Sequence, residues 1–368
     1  MSRCKDKYER SKGKYKNVLL VLFIMLLVLT AGCQRVPEPV PESLAEQAAL
    51  YSPVAGAFYV NGRGAGASYG SFYSNRDLIH EVSPLWYYVR EDGSLKEDVD
   101  GEALKLASDS GVKVIPLVAF LSNASSFVLK GVNAREAAIA GIARVVREHG
   151  YDGVNIDFEI VKAAGRDYQA EREGLNRFAE GLRRELDSSG KRLDICVLPP
   201  EQPPAHLAQI YDLAVLSELA DRLVVMTYDY SHSGTKPGPV APLPWVEANI
   251  KAVLQLGISP EKISLGIASY GYDWPSGATR ADVVSAREVM QSIGQSVFAA
   301  EWDGPSQTPF VVYRDSRGRD REIWFENSAA SEQKMELIKK YRLAGFYLWR
   351  LGYEDALFWQ TVKESLLQ

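Results

Sequence analysis

Tyr151-Asp152-Gly153-Val154-Asn155-Ile156-Asp157-Phe158-Glu159 alternates polar and apolar side chains with the two-residue period of a β-strand. One face reads as apolar, the other as Asp152, Asn155, Asp157 and Glu159. Neighbouring carboxylates on that face stand roughly 6–7 Å apart at a rise of about 3.3 Å per residue. Like charges at such range raise the pKa of one member and leave the other ionised, which keeps a carboxyl group available as a general acid near neutral pH. A half-buried antiparallel strand with a solvated face would show the same alternation. The apolar strands elsewhere in the chain argue instead for a sheet covered on both sides.

Those strands are Val54–Tyr59, Leu85–Val89, Val112–Phe120, Gly153–Phe158, Leu193–Leu198, Arg222–Met226, Lys262–Ala268 and Gly345–Trp349. Helical patterns lie between them, most clearly Ala134–His149, Arg166–Ser188, Leu243–Leu256 and Ser331–Tyr341; Gly150, Gly190 and Gly257 stop three of these. Regular alternation of strand and helix means a parallel sheet covered by helices. Eight units within residues 53–368 favour a closed (β/α)8 TIM barrel, an α/β fold, over an open doubly wound sheet. No Gly-x-Gly-x-x-Gly turn follows the first strand, which weakens a dinucleotide-binding reading. Residues 275–325 break the rhythm with strand-like segments at Ser296–Glu301, Thr308–Tyr313 and Arg321–Glu326, and read as a small α+β lobe inserted between strands seven and eight.

The first 52 residues stand apart from this core. Seven basic residues, from Arg3 to Lys16, precede an apolar run from Val18 to Thr30 that ends in Leu29-Thr30-Ala31-Gly32-Cys33. The run is short for a membrane span, and it resembles a bacterial lipoprotein signal cut before Cys33, which would carry the lipid anchor to the membrane. Residues 1–32 are thus a signal peptide. Residues 33–52, rich in Pro and Glu, form a tether. Loss of the signal removes seven basic and two acidic side chains from totals of 42 and 47, leaving an acidic chain with no affinity for nucleic acid. Cys196 then remains as the single unlipidated cysteine, so no internal disulfide forms; it sits in an apolar run and reads as a buried strand residue. His80, His149, His206 and His232 lack ligand spacing, so no metal site is expected. A monomer without a cofactor is the expectation.

Chemistry in such a barrel belongs at the C-terminal ends of the strands. Strand four ends at Asp157 and Glu159, strand six runs into Met226-Thr227-Tyr228-Asp229-Tyr230, strand seven into Tyr270-Gly271-Tyr272-Asp273-Trp274, and strand eight into Trp349. Carboxylates, phenols and an indole suit a carbohydrate, because aromatic faces stack on sugar rings while carboxylates bond hydroxyls or protonate a leaving oxygen. Tyr59 and Tyr272 are expected near the same site.

At these residues the chain resembles glycoside hydrolase family 18, the chitinase family. Asp152, Asn155, Asp157 and Glu159 fall on the four places of its Asp-x-x-Asp-x-Asp-x-Glu signature, with Asn in place of the second Asp; Met226-Thr227-Tyr228-Asp229 and Trp349 match its motifs on strands six and eight. The wording of the strand-four stretch, with Val82-Ser83-Pro84-Leu85-Trp86-Tyr87, is closer to the spore cortex-lytic branch than to secreted chitin-degrading enzymes. The resemblance implies a retaining glycosidase acting on β-linked, N-acetylated polysaccharides, peptidoglycan first and chitin oligomers second. The sugar's own acetamido group would be the nucleophile. Glu159 would be acid and then base, Asp157 would orient the acetamido group, and Tyr228 would bond its oxygen. Met226, Asp229 and Trp349 would shape the subsite, with Asp152 and Asn155 among the substrate-binding residues. Family members that lose the acid become lectin-like binders, but Glu159 is present.

Overall fold

Prolines interrupt two of the strands of this chain, at Pro84 and Pro116. The computed structural model describes residues 51–62, 64, 66–121, 124–159, 167–201, 209–295 and 299–367; the expected signal peptide and most of the expected tether, Cys33 included, lie outside the described residues. Eight parallel strands close into a barrel: β1 (Val54–Tyr59), β2 (Glu81–Val89), β5 (Leu117–Phe120), β6 (Gly153–Asp157), β7 (Arg192–Val197), β8 (Arg222–Val225), β9 (Ile263–Ala268) and β15 (Gly345–Trp349), each paired to the next, with β15 returning to β1. Two short strands, β3 (Leu95–Glu97) and β4 (Lys113–Val114), pair with β2 at its two ends. The third expected strand is thus split between β4 and β5, because Pro116 has no N–H to give the ladder. The second strand begins earlier than expected, at Glu81. It carries Pro84 opposite Tyr59 and takes up the irregularity as a register shift between Leu85 and Tyr87.

Helices α1 (Ser68–Asn75), α2 (Gly101–Ser110), α3 (Ala124–Lys130), α4 (Val132–His149), α5 (Tyr168–Asp187), α6 (Leu213–Leu219), α7 (Leu243–Gln255), α9 (Ser328–Tyr341) and α10 (Phe358–Ser365) lie along the chain between and after the strands. Asp100, Asp167, Asp212 and Asn327 cap α2, α5, α6 and α9 by accepting from first-turn N–H groups. Gly150 ends α4 at φ +67°, where a side chain would be strained. At the end of α9, however, Arg342 takes the left-handed position without a glycine.

Charge closes the N-terminal end of the barrel. Arg192 pairs with Glu81 (2.5 Å) and Asp194 (2.7 Å), Arg222 pairs with Glu81, and the Tyr347 hydroxyl donates to Asp194 at 3.3 Å. Burial raises the Asp194 carboxyl to about 6 even against the pull of Arg192 and Arg222. The charges of these groups are paired with one another, although Asp194 Oδ1 and Arg192 Nε have no hydrogen-bond partner among the described residues.

Between β9 and α9 the chain builds a lobe: β10 (Tyr270–Pro275), β11 (Asp282–Ser285), α8 (Ala286–Gly294), β12 (Glu301–Asp303), β13 (Thr308–Arg314) and β14 (Asp320–Phe325), an antiparallel sheet in the order β11-β10-β14-β13-β12. Its first strand starts at Tyr270, earlier than the expected boundary at 275. A single residue, Ser269, separates it from β9, and the aromatic run expected to trail strand seven is itself the lobe's opening strand. Gly271 lets β14 come close, since a Cβ there would lie 2.1 Å from the Trp324 carbonyl oxygen. The lobe has a small core of its own in Ala286, Val289, Val311, Ile323 and Phe325, while Tyr270, Tyr272 and Trp274 of β10 belong to the core of the barrel.

Candidate active site

Within β6, Val154 and Ile156 are buried in the core, while Asn155 and Asp157 take the alternate face. Asn155 is wholly buried; its amide donates to Ser83 Oγ at 3.2 Å and its carbonyl accepts from Cys196 Sγ at 3.4 Å. It lies beneath the site and has no surface to offer a substrate. The expectation that it binds substrate is corrected on that ground: it is a support, holding the strand that presents Asp157. Asp157 ends β6, and its Oδ1 is buried without a hydrogen-bond partner among the described residues. Burial raises the Asp157 carboxyl well above the usual carboxylate range, and the charge of Glu159 adds to this. Glu159 is open to solvent at the mouth, yet the surrounding wall strips enough hydration to raise its carboxyl too, with the Asp229 charge second.

The strand-six motif follows β8. Met226 is buried, its N–H donating to the Val197 carbonyl at 3.0 Å, and Thr227 Oγ1 donates to the Gly266 carbonyl at 2.8 Å. Tyr228 packs close against Gly266, where a Cβ would meet its ring at 2.9 Å. Burial drives its phenol well up, and Cys196, Asp157, Glu159 and Asp229 all contribute to the shift, which brings these groups into one neighbourhood. Asp229 adopts φ +60°, a conformation that Asp tolerates better than most residues. Its Oδ1 accepts from the Tyr270 hydroxyl at 2.5 Å and the Tyr272 hydroxyl at 2.7 Å. Those bonds oppose the rise that burial imposes on its carboxyl. Tyr272 therefore reaches the site through Asp229. Trp349, half-buried at the end of β15, meets the Phe58 ring edge-on at 5.2 Å.

Two expected residues fall elsewhere. Asp152 precedes β6 at the barrel's other end, where its Oδ2 accepts from the Val114 N–H at 2.8 Å and fastens β4 to β6, away from Asp157. Tyr59 is fully buried, packs edge-on against Phe72 and Trp86, and donates to Asp100 Oδ2 at 2.5 Å. It braces the cap of α2 and has no exposed surface for a sugar. Conversely, Tyr211 went unnoticed in the sequence. Its hydroxyl donates to the Phe158 carbonyl at 3.3 Å, and Glu159 and Asp157 both contribute to its raised pKa. No local pattern marks it, because it lies in the run leading into α6.

Known proteins resemble this chain in sequence and in fold. A sporulation-specific glycosylase, by its provisional name YdhD, of Bacillus subtilis (strain 168) is 28% identical over 296 residues, 75% of this chain and 68% of its own length. The cortical fragment-lytic enzyme of Bacillus anthracis is 25% identical over 295 residues, 76% of this chain and 66% of its own. Chitinase from Chromobacterium violaceum ATCC 12472 superposes with a TM-score of 0.77 at 24% identity, over 86% of this chain and all of that one, and so shares the fold. The family model of glycosyl hydrolases family 18 matches residues 90–354. With the closed barrel and the carboxylates at the end of β6, that match makes this chain a member of glycosyl hydrolases family 18 and a glycosidase.

Proposed function

We propose that the protein hydrolyses β-linked N-acetylglucosamine-containing glycans with retention of configuration, peptidoglycan being the leading substrate and chitin oligomers the second, through the substrate's own acetamido group. The unpartnered Oδ1 of Asp157 carries this reading: a buried acceptor of that kind is matched by the N–H of an acetamido group. Protonated Glu159 gives its proton to the glycosidic oxygen while the acetamido oxygen attacks the anomeric carbon, and the aglycone departs. The Glu159 carboxylate then takes a proton from water as the water opens the oxazolinium ring. Asp157 steadies the positive charge on the acetamido nitrogen, Tyr228 donates to its oxygen, and Trp349 supports the ring. The name of the cortical fragment-lytic relative supports peptidoglycan. Reducing ends released from purified glycan strands and from chitin oligomers test the proposal; binding of both without release of either would overturn it.

Asp229 bears on the pH range. Its charge helps keep Glu159 protonated, and the acid form is lost as pH rises through the Glu159 pKa. Asp229→Asn keeps the acceptor for Tyr270 and Tyr272 and suits the positive φ, but removes the charge. The alkaline limb of kcat should therefore move to lower pH in Asp229→Asn, measured as a kcat–pH profile beside the wild type. An unmoved limb would remove Asp229 from control of the acid.

The proposal also places the enzyme on the outer face of the cell membrane, held by lipid on Cys33. Cys33→Ala should then pass from the membrane fraction to the soluble fraction, followed by immunoblot. Identical fractionation of variant and wild type, both with the signal still attached, would refute the anchor.

A further inference from the structure

The C-terminal end of the barrel carries a concavity of about 360 Å³, walled by the segments after β1 and β15 and by the start of α8. Arg350 follows Trp349 directly and lines it, as does Arg287 from the lobe. Arg350 lies 3.8 Å over the Tyr353 ring, which fixes the plane of the guanidinium. Among the described residues its Nη1 donates to neutral oxygens, Ser68 Oγ at 3.3 Å and the Leu351 carbonyl at 3.4 Å. The Arg287 main-chain N–H donates to the Tyr353 carbonyl at 2.9 Å, tying the lobe to the β15 loop and bringing the two arginines to one pocket. Neither guanidinium pairs with a carboxylate among the described residues. The acidic group in the lining, Glu288, is committed to a capping box with Ser285, accepting from its N–H at 3.0 Å and its hydroxyl at 2.7 Å. Helix α1 adds its N-terminus: Ala67 offers no side-chain cap and the first turn holds no acidic residue.

The geometry points to a carboxylate-binding subsite formed by Arg287 and Arg350, which takes the acidic substituent of the sugar next to the one resting on Trp349. A chitin chain presents no carboxylate there. A glycan in which N-acetylglucosamine alternates with its lactyl ether does, either on the lactyl group or on the short peptide attached to it. Planar guanidinium groups suit such a ligand because each can give two parallel N–H bonds to one carboxylate. The subsite rests on the proposed glycan hydrolysis for the position of the neighbouring sugar, and it would select the acidic polymer over the neutral one.

The test compares four oligosaccharides of equal length: alternating chains with a free lactyl carboxylate, with alanine joined to the lactyl group, with the lactyl carboxyl reduced to an alcohol, and a plain N-acetylglucosamine oligomer. Both kcat/KM and calorimetric affinity are measured for the wild type, Arg287→Gln, Arg350→Gln and the double variant. The wild type should favour a carboxylated chain over the reduced one roughly ten- to hundredfold, and the better of the two carboxylated chains identifies the source of the charge. Added salt should shrink the preference. Each single variant should lose part of it and the double variant nearly all, while Arg350→Lys retains some; thermal melting confirms that each variant is folded. Equal kcat/KM and equal affinity for carboxylated and reduced chains in the wild type, or a preference that survives the double variant, would overturn the subsite and leave the hydrolase reading intact. If no chain is cleaved but the affinity preference follows the arginines, hydrolysis fails and the subsite stands.

Discussion

Glu159→Gln is expected to fold normally, bind its glycan and lose about 10²- to 10⁴-fold in kcat. The substitution keeps the shape and hydrogen-bonding size of the side chain but removes the proton that the leaving oxygen needs. Affinity should change little, since the loss falls on the transition state alone. Stopped assays of reducing-end release, with calorimetric binding on the same preparation, separate the two. Activity within tenfold of the wild type would take the acid role from Glu159. Loss of hydration to the surrounding wall and the nearby Asp229 both raise the Glu159 carboxyl, so the residue is suited to hold a proton where an ordinary glutamate would have lost it.

A second large effect concerns the nucleophile. If the acetamido oxygen attacks from within the sugar, the product must retain its anomeric configuration, and a substrate with a free amine at that carbon must be cleaved about 10³-fold more slowly or worse. A thiazoline analogue of the cyclic intermediate should inhibit. Asp157→Asn should cut kcat by about 10²- to 10³-fold with a smaller effect on binding, because the positive charge it steadies appears only as the ring closes. NMR of the anomers immediately after cleavage reads the stereochemistry. Inverted product, or equal rates on acetylated and deacetylated chains, would rule out substrate assistance.

The barrel was legible because burial on both faces of a parallel sheet writes itself as apolar runs, and helices between them as a 3.6-residue period. What the linear pattern misplaced is instructive. Asp152 sits on the signature, but it is an odd number of residues from Asn155 and precedes the strand, so it points away from the catalytic face and works at the opposite end of the barrel. Asn155 has the right parity, yet its depth, set by Ser83 and Cys196 on two other strands, removes it from contact with substrate. Depth along a barrel axis depends on the stagger of all its strands, and no single segment records it. Tyr59 failed for a related reason: its partner, Asp100, is on a different βα unit. The lobe boundary was missed because an aromatic run next to a strand looks the same whether it trails that strand or opens a new sheet. Asp157 and Trp349 end β6 and β15, and Glu159, Tyr228 and Asp229 lie just past the ends of β6 and β8, positions that the order of residues along the chain already records.

The separate core of the lobe has an evolutionary consequence. Ala286, Val289, Val311, Ile323 and Phe325 pack on one another and can accumulate substitutions with little effect on the barrel, since changes at sites that share no partners act nearly independently, whereas Tyr270, Tyr272 and Trp274 sit in the barrel's own core and cannot. The outer part of the lobe is thus free to drift, while its first strand, which holds Asp229 through Tyr270 and Tyr272, is inherited with the machinery at the end of β6. Diversification within such a lineage would then proceed in the outer strands of the lobe, with no need to rebuild the hydrolytic centre.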